Sequence, residues 1–139
     1  SFKETSEKDY ILDFNKDYNS KKITKSIEIV YGLRNFIGNA NKFSSKKIFI
    51  TLESNDEFTK VIIQDDGDGY PVDILSKIGE PYLKSFSFNN KNKAGLGLGI
   101  FIGKTLLEKN FASINCRNSK TKSGAEVVIK WKNSDLLKI

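Results

Sequence analysis

The run Gly95-Leu96-Gly97-Leu98-Gly99 leads straight into Ile100-Phe101-Ile102-Gly103-Lys104-Thr105-Leu106-Leu107, and any fold must be built round that junction. Three glycines at alternate positions remove Cβ atoms where a chain turns sharply or lets a ligand touch its backbone. A helix opening there turns unpaired N–H groups and the positive end of its dipole toward the gap, which suits a phosphate. Glycines before a helix also serve packing alone, so the stretch takes its meaning from its company. Two familiar phosphate loops are excluded. A Walker A loop ending at Gly103-Lys104-Thr105 needs a glycine where the chain has Leu98. A dinucleotide fingerprint fails on the G-x-G-x-G spacing, and no β-α-β unit is expected to open the chain.

Residues 1–8 read as disordered or as the remnant of an upstream linker, and 9–139 as one domain with room for a core. Tyr10 to Phe14 reads as a short strand, followed by a polar turn at Asn15 to Ser20. A long helix follows, roughly Lys22 to Phe43, with Ile23, Ile27, Val30, Leu33, Ile37, Ala40 and Phe43 as its buried stripe. Ile48, Ile50 and Leu52 alternate with polar residues, and Thr59 to Gln64 returns as the second arm of a hairpin. Pro71 starts a short helix that stops near Gly79, and Tyr82 to Ala94 is a polar, aperiodic loop. The helix after Gly99 runs to about Lys109, with Asn110 as a left-handed cap. Ser113 to Arg117 and Val127 to Trp131 form the last strands, joined through a turn with Gly124. The expected class is α+β, a two-layer sandwich whose mixed, mostly antiparallel sheet is covered on one face by helices.

Composition closes several doors. The net charge of +6 comes from scattered lysines with no aromatic platform among them, so no nucleic-acid partner is expected. The absence of histidine excludes imidazole acid–base chemistry and histidine metal ligation. A single cysteine, Cys116, rules out an internal disulfide and reads as an inert buried thiol. No run approaches the roughly 20 apolar residues of a membrane span, so this chain reads as soluble and cytoplasmic.

Two further stretches carry chemistry. Asn35, Asn39 and Lys42 share one helix stripe, which is either a solvated face or a set of amide oxygens suited to Mg²⁺ with a lysine to meet phosphate. Asp65-Asp66-Gly67-Asp68-Gly69-Tyr70 follows an apolar strand and fails the EF-hand spacing. It is either a tight acidic turn or a strand-end carboxylate, Asp65, that accepts from an adenine amino group while Gly67 and Gly69 let the ring approach.

In this order, an amide–lysine helix, a D-x-G-x-G loop, a polar lid and a G-x-G-x-G turn resemble the ATP-binding domain of the superfamily of sensor histidine kinases, gyrase, Hsp90 and MutL. The resemblance runs from about Leu33 to Trp131, with Arg34 to Ser44 similar to the N box, Asp65 to Tyr70 to the G1 box and Gly95 to Gly99 to the G2 box. Asp65 to Gly69, Ile78-Gly79-Glu80-Pro81-Tyr82 and Gly95 to Glu108 are further similar to the redox-responsive RegB/PrrB group of proteobacterial kinases.

The resemblance implies ATP and Mg²⁺ as cofactors. Asn39 would ligate the metal with Asn35 in support, Lys42 would touch phosphates, Phe43 would pack near ribose or base, and Asp65 would read adenine. Lys84 would steady the γ-phosphate, with Gly67, Gly69, Gly95, Leu96, Gly97, Leu98 and Gly99 round the nucleotide. Tyr70 departs from the isoleucine or phenylalanine common in these kinases, which puts base packing in question. Hydrolysing relatives carry a glutamate where this chain has Asn35, which cannot take a proton from water. The implied activity is therefore transfer of the γ-phosphoryl to a histidine on a separate helical domain. The remaining partners are a downstream response regulator and, for the full-length kinase, a second copy in a homodimer anchored at the inner membrane, whereas this chain alone would be monomeric. The alternatives are a serine kinase of the anti-sigma type and a catalytically silent nucleotide-binding domain. The lid at Ser85 to Lys93 is expected to be mobile without nucleotide.

Overall fold

The computed structural model describes residues 8–14, 27–71, 75, 96–121 and 123–139, and of residues 13, 14 and 96–98 the backbone only. The expected turn at Asn15 to Ser20, the helix start at Lys22 with Ile23, the segment Ile78 to Tyr82, the lid, Lys84 and Gly95 lie outside the described residues. Five strands, β1 (Asp9–Phe14), β2 (Lys47–Ser54), β3 (Phe58–Asp65), β4 (Ser113–Asn118) and β5 (Ala125–Lys132), form one sheet in the order β1-β2-β3-β5-β4. Helices α1 (Ile27–Phe43) and α2 (Leu96–Lys109) pack on each other and against the sheet, α1 over β3 and α2 toward β4. The expected α+β class with a mixed, mostly antiparallel sheet is what the chain adopts. No helix among the described residues is long and apolar enough to cross a membrane.

β1 runs parallel to β2, with α1 between them, while the other pairings are antiparallel. A β-α-β unit therefore does open the described chain, contrary to expectation. A helix of 17 residues is long enough to carry the chain back to the start of a parallel neighbour. The dinucleotide fingerprint stays excluded by its spacing and because the glycine run follows β3 in sequence, not β1.

Alternation sends Ile48, Ile63, Val127, Ile129 and Trp131 to the helix-covered face, where all are buried. On the opposite face Gln64 Nε2 donates to Glu126 Oε1 at 2.6 Å and Arg117 pairs with Glu126, so these buried polar groups are satisfied across three strands.

The buried face of α1 is Ile29, Gly32, Phe36 and Ala40, with Leu33, Ile37 and Phe43 partly covered, whereas Ile27 is 74% exposed. The stripe thus lies round the helix from the expected one, because α1 packs on both the sheet and α2 and needs a small residue at the helix crossing. A Cβ on Gly32 would lie 2.7 Å from Leu107 Cγ, and one on Gly103 would lie 2.8 Å from Phe36 Cε2 and 3.1 Å from the Gly32 carbonyl. Gly103, the decoy of the Walker pattern, is a packing residue. Gly103→Ala should lower the urea-unfolding free energy by about 1–2 kcal/mol, since overpacking outweighs the better helix propensity of alanine. Unchanged or raised stability would show that the two helices are not in this contact.

Two ends differ from expectation. α2 begins at Leu96, so Gly97 and Gly99 stand in its first turn instead of before it. At its other end Phe111 (φ 73°), not Asn110, takes the left-handed conformation. Ala112 N donates to Leu107 O and Phe111 N to Glu108 O, which is a Schellman closure, and Trp131 Nε1 donates to the Asn110 carbonyl at 3.0 Å. The fully buried Trp131 indole N–H finds its acceptor in that carbonyl, and the left-handed residue stands one position later than expected. A short α3 (Asn133–Leu136) closes the chain, burying Leu136, while Asn133 pins the β2–β3 turn through Asn55 O and Thr59.

Candidate functional site

β3 delivers Asp65 to the helix-covered face at the strand end, opposite Ile48 of β2 and beside Ala125 of β5. Its side chain is almost fully buried, and Oδ1 accepts from Gly67 N at 2.9 Å and Ala125 N at 3.3 Å. Burial pushes its carboxyl above the ordinary value of 3.8; the two backbone donors and Lys8 pull it down, and Asp66 pushes it up.

The chain then turns back onto the end of α1. A Cβ on Gly67 would run into the Phe43 carbonyl, so only glycine lets the loop sit there. Asp66 Oδ1 accepts from Ser45 N at 2.8 Å and Lys46 N at 3.0 Å. Burial raises its carboxyl, but the N–H groups of Lys47, Lys46 and Ser45 together hold it below its usual range. Lys8 Nζ donates to the Ser44 carbonyl at 2.6 Å, tying the entry to β1 to the same corner.

Gly69 adopts φ +78° against the Asn118 side chain, and Tyr70 behind it is buried. The Tyr70 N–H donates to Asn118 Oδ1 at 2.6 Å, and Asn118 Nδ2 donates to the Tyr70 carbonyl at 3.0 Å. The Tyr70 hydroxyl and the Cys116 thiol lie close enough to act on each other's titration. Burial lifts the tyrosine well above its ordinary value and pushes the Cys116 thiol up to about 11, against the opposing pull of Tyr70 and of Lys104. Cys116 is half-buried, and a thiol raised in this way forms the thiolate less readily.

These elements enclose a cavity of about 210 Å³. Asn39, Lys42, Phe43, Asp65, Gly69 and Tyr70 all line it, with Phe36, Ala40, Ile63 and Val127 as its apolar floor. Lys42 Nζ stands 5.4 Å from the Phe43 ring centroid. Asn35 does not line it: Nδ2 donates to the Tyr31 carbonyl at 2.8 Å, and its oxygen looks toward Gly99, 3.9 Å from where a Cβ there would lie. The expected stripe is thus divided, Asn39 and Lys42 on the cavity and Asn35 at the first turn of α2. Gly67 braces the wall from behind. Leu96, Gly97 and Leu98 open α2, and Lys84 and Gly95 lie outside the described residues.

Among the described residues no group of three or more acidic or cysteine side chains could hold a metal alone. The available donor set is amide oxygen, which matches a hard cation that takes its other ligands from phosphate and water.

Sequence reasoning missed Asn118, Gly124 and Ala125. A Cβ on Gly124 would run into Asp65 O and Oδ1, and the next residue, Ala125, gives Asp65 its second N–H. Gly124 was visible only as a turn residue, and nothing local to Asn118 points across 48 residues to Tyr70.

Residues 24–135 match the model of the family described as histidine kinase-, DNA gyrase B-, and HSP90-like ATPase. The chain is similar to the sensor histidine kinase RegB of Cereibacter sphaeroides, 35% identical over 102 residues, which cover 70% of this chain and 22% of that protein. A putative NtrY-like sensor histidine kinase of Rickettsia felis is 32% identical over 87 residues, covering 63% of this chain and 13% of its own length. The chain thus spans about a fifth or less of these relatives. The solved catalytic domain of the histidine kinase ThkA superposes with a TM-score of 0.74 at 22% identity, over 95% of this chain and 86% of that one. A mycobacterial sensor histidine kinase, MprB, gives 0.71 at 18% identity, over 94% and 85%.

Proposed function

The chain belongs to the family of histidine kinase-, DNA gyrase B- and HSP90-like ATPases, and from that premise we propose that it is the ATP-binding catalytic domain of a two-component sensor histidine kinase. The observation that carries the site assignment is Asp65. A buried carboxylate holds two backbone N–H groups on Oδ1, which leaves Oδ2 for the amino group of an adenine lying on the apolar floor. Asn39 and Lys42, on the α1 wall of the same cavity, lie toward the phosphates, and Phe43 and Tyr70 flank the base and ribose. Asn35 and Gly99 bring α1 and the positive end of α2 together on the phosphate side, with Leu96, Gly97 and Leu98 in the opening turn. Lys84 is assigned to the γ-phosphate on resemblance.

Mg²⁺ fits this donor set, with the Asn39 oxygen as protein ligand, Asn35 in support, and phosphates and water filling the shell. Bound there, it would neutralise phosphate charge. The chain's own residues position the nucleotide and offer no carboxylate at Asn35 to activate water, so the site holds ATP for transfer instead of hydrolysis. With no histidine anywhere, the acceptor is a histidine of a separate helical domain, and a response regulator receives the phosphoryl downstream. The chain itself is a cytoplasmic, monomeric unit of a homodimeric, membrane-anchored kinase.

Calorimetric titration with Mg-ADP and Mg-AMP-PNP tests the reading. Both should bind, and a histidine-bearing helical domain added with ATP should acquire acid-labile phosphate. Heat with neither nucleotide would overturn the assignment. Binding without transfer to any such domain would reduce it to a nucleotide-binding module.

A further inference from the structure

We infer that Asn118 is a positioning residue for adenine, acting through Tyr70: its carboxamide brackets both backbone polar groups of the residue that walls the base end of the cavity. The inference rests on the nucleotide reading above. Asn118 is the last residue of β4 and pairs with Ala125, the same residue whose N–H holds Asp65 Oδ1. The sheet therefore sets two residues of the base end in fixed relation, Asp65 directly and Tyr70 through Asn118.

The bracket has two points, an N–H accepted at 2.6 Å and a carbonyl satisfied at 3.0 Å, which fixes the orientation of the peptide as well as its place. Gly69 permits it. The residue's φ of +78° turns the loop, and a Cβ there would lie 2.7 Å from Asn118 Oδ1, so the carboxamide also fills the space beneath the turn. Asn118 itself does not line the cavity and is exposed, so its influence on a ligand passes through the wall it holds. A wall fixed at its backbone presents a preorganised face, and losing that order weakens binding without removing any ligand contact.

The test compares Asn118→Ala with the parent chain, using ADP, adenosine and inorganic tripolyphosphate, each with Mg²⁺. ADP and adenosine should bind about tenfold more weakly to the variant, the effect of two neutral hydrogen bonds. Tripolyphosphate, which never reaches Tyr70, should bind both alike. Asn118→Asp keeps the acceptor for the Tyr70 N–H but opposes its carbonyl with an oxygen, and it should show the same selective loss; it decides the matter if the alanine variant does not fold. Unchanged adenosine and ADP affinity, or an equal loss for tripolyphosphate, overturns the positioning role. A parent that binds neither adenosine nor ADP overturns the nucleotide reading itself, a failure distinct from that of Asn118.

Discussion

Replacing Asp65 by asparagine is expected to weaken Mg-ADP binding about a hundredfold while leaving folding stability at neutral pH unchanged or raised. The two halves have separate causes. Asparagine keeps an oxygen where Oδ1 accepts from Gly67 N and Ala125 N, so the loop and the β5 start remain held. The NH₂ group is then forced into the place of Oδ2, where it faces the adenine amino group donor to donor. A lost bond to a charged acceptor, together with that opposition, is worth about 3 kcal/mol, or about a hundredfold. Stability follows from the raised carboxyl. A folded-state value above the unfolded one means that the native state binds the proton more tightly, so ionised Asp65 costs stability at neutral pH. That cost is relieved as pH falls through the raised value toward 3.8, and the neutral asparagine never incurs it. In the parent, adenine binding should weaken over the same acid window as Oδ2 gains a proton; in Asp65→Asn that dependence should vanish. Urea unfolding and ADP titration between neutral pH and the acid limit measure both. A variant that loses stability and affinity together would mean that Asp65 serves the fold and not the base.

Asp66, one residue on, has the opposite sign. Backbone donors from Lys47, Lys46 and Ser45 hold its carboxyl below the usual range, so it stabilises the fold at neutral pH and that contribution is lost as pH falls through its lowered value. On the proposed reading, these adjacent carboxylates at the end of β3 divide binding from bracing. Sequence spacing could place both at a strand end and no more, because the distinction lies in which N–H groups the fold brings to each.

What was legible in the chain was local. Strand alternation at Ile48, Ile50 and Leu52 and the 3.6-residue period before Phe43 are each set within a few residues, and each led to the right element. What escaped depends on partners far away in sequence. The face of α1 shifted because Gly32 and Gly103 let two helices touch, a contact between positions 71 residues apart that neither helix displays alone. The parallel pairing of β1 with β2, the bracket of Asn118 on Tyr70 and the seat of Gly124 on Asp65 all follow from register across the sheet. α2 starts earlier than its glycines suggest because Ile100 and Leu107 are fully buried, and that tertiary packing overrides the poor helix propensity of Gly97 and Gly99.

Gly124 joins the fold to the site most tightly, and Gly124→Ala is expected to cost about 3 kcal/mol of stability and to abolish most nucleotide affinity at once. The new methyl would run into the carbonyl and the Oδ1 of Asp65. A side-chain oxygen could rotate away, but the carbonyl belongs to the last residue of β3, which pairs with Ile48 of β2, and it cannot move without disturbing that strand end. Either response displaces the carboxylate that faces the base. The affinity loss should therefore resemble that of Asp65→Asn, whereas the stability effects differ in sign or size, which separates a residue that reads the base from one that seats the reader. The double variant sharpens the comparison: once asparagine stands at 65, adding Gly124→Ala should still lower stability but cost little more affinity, because the interaction it would disrupt is already gone. Additive losses in affinity would mean that Gly124 acts on the nucleotide by a route other than Asp65. Parent-like stability in Gly124→Ala would mean that the strands have room the structure does not give them.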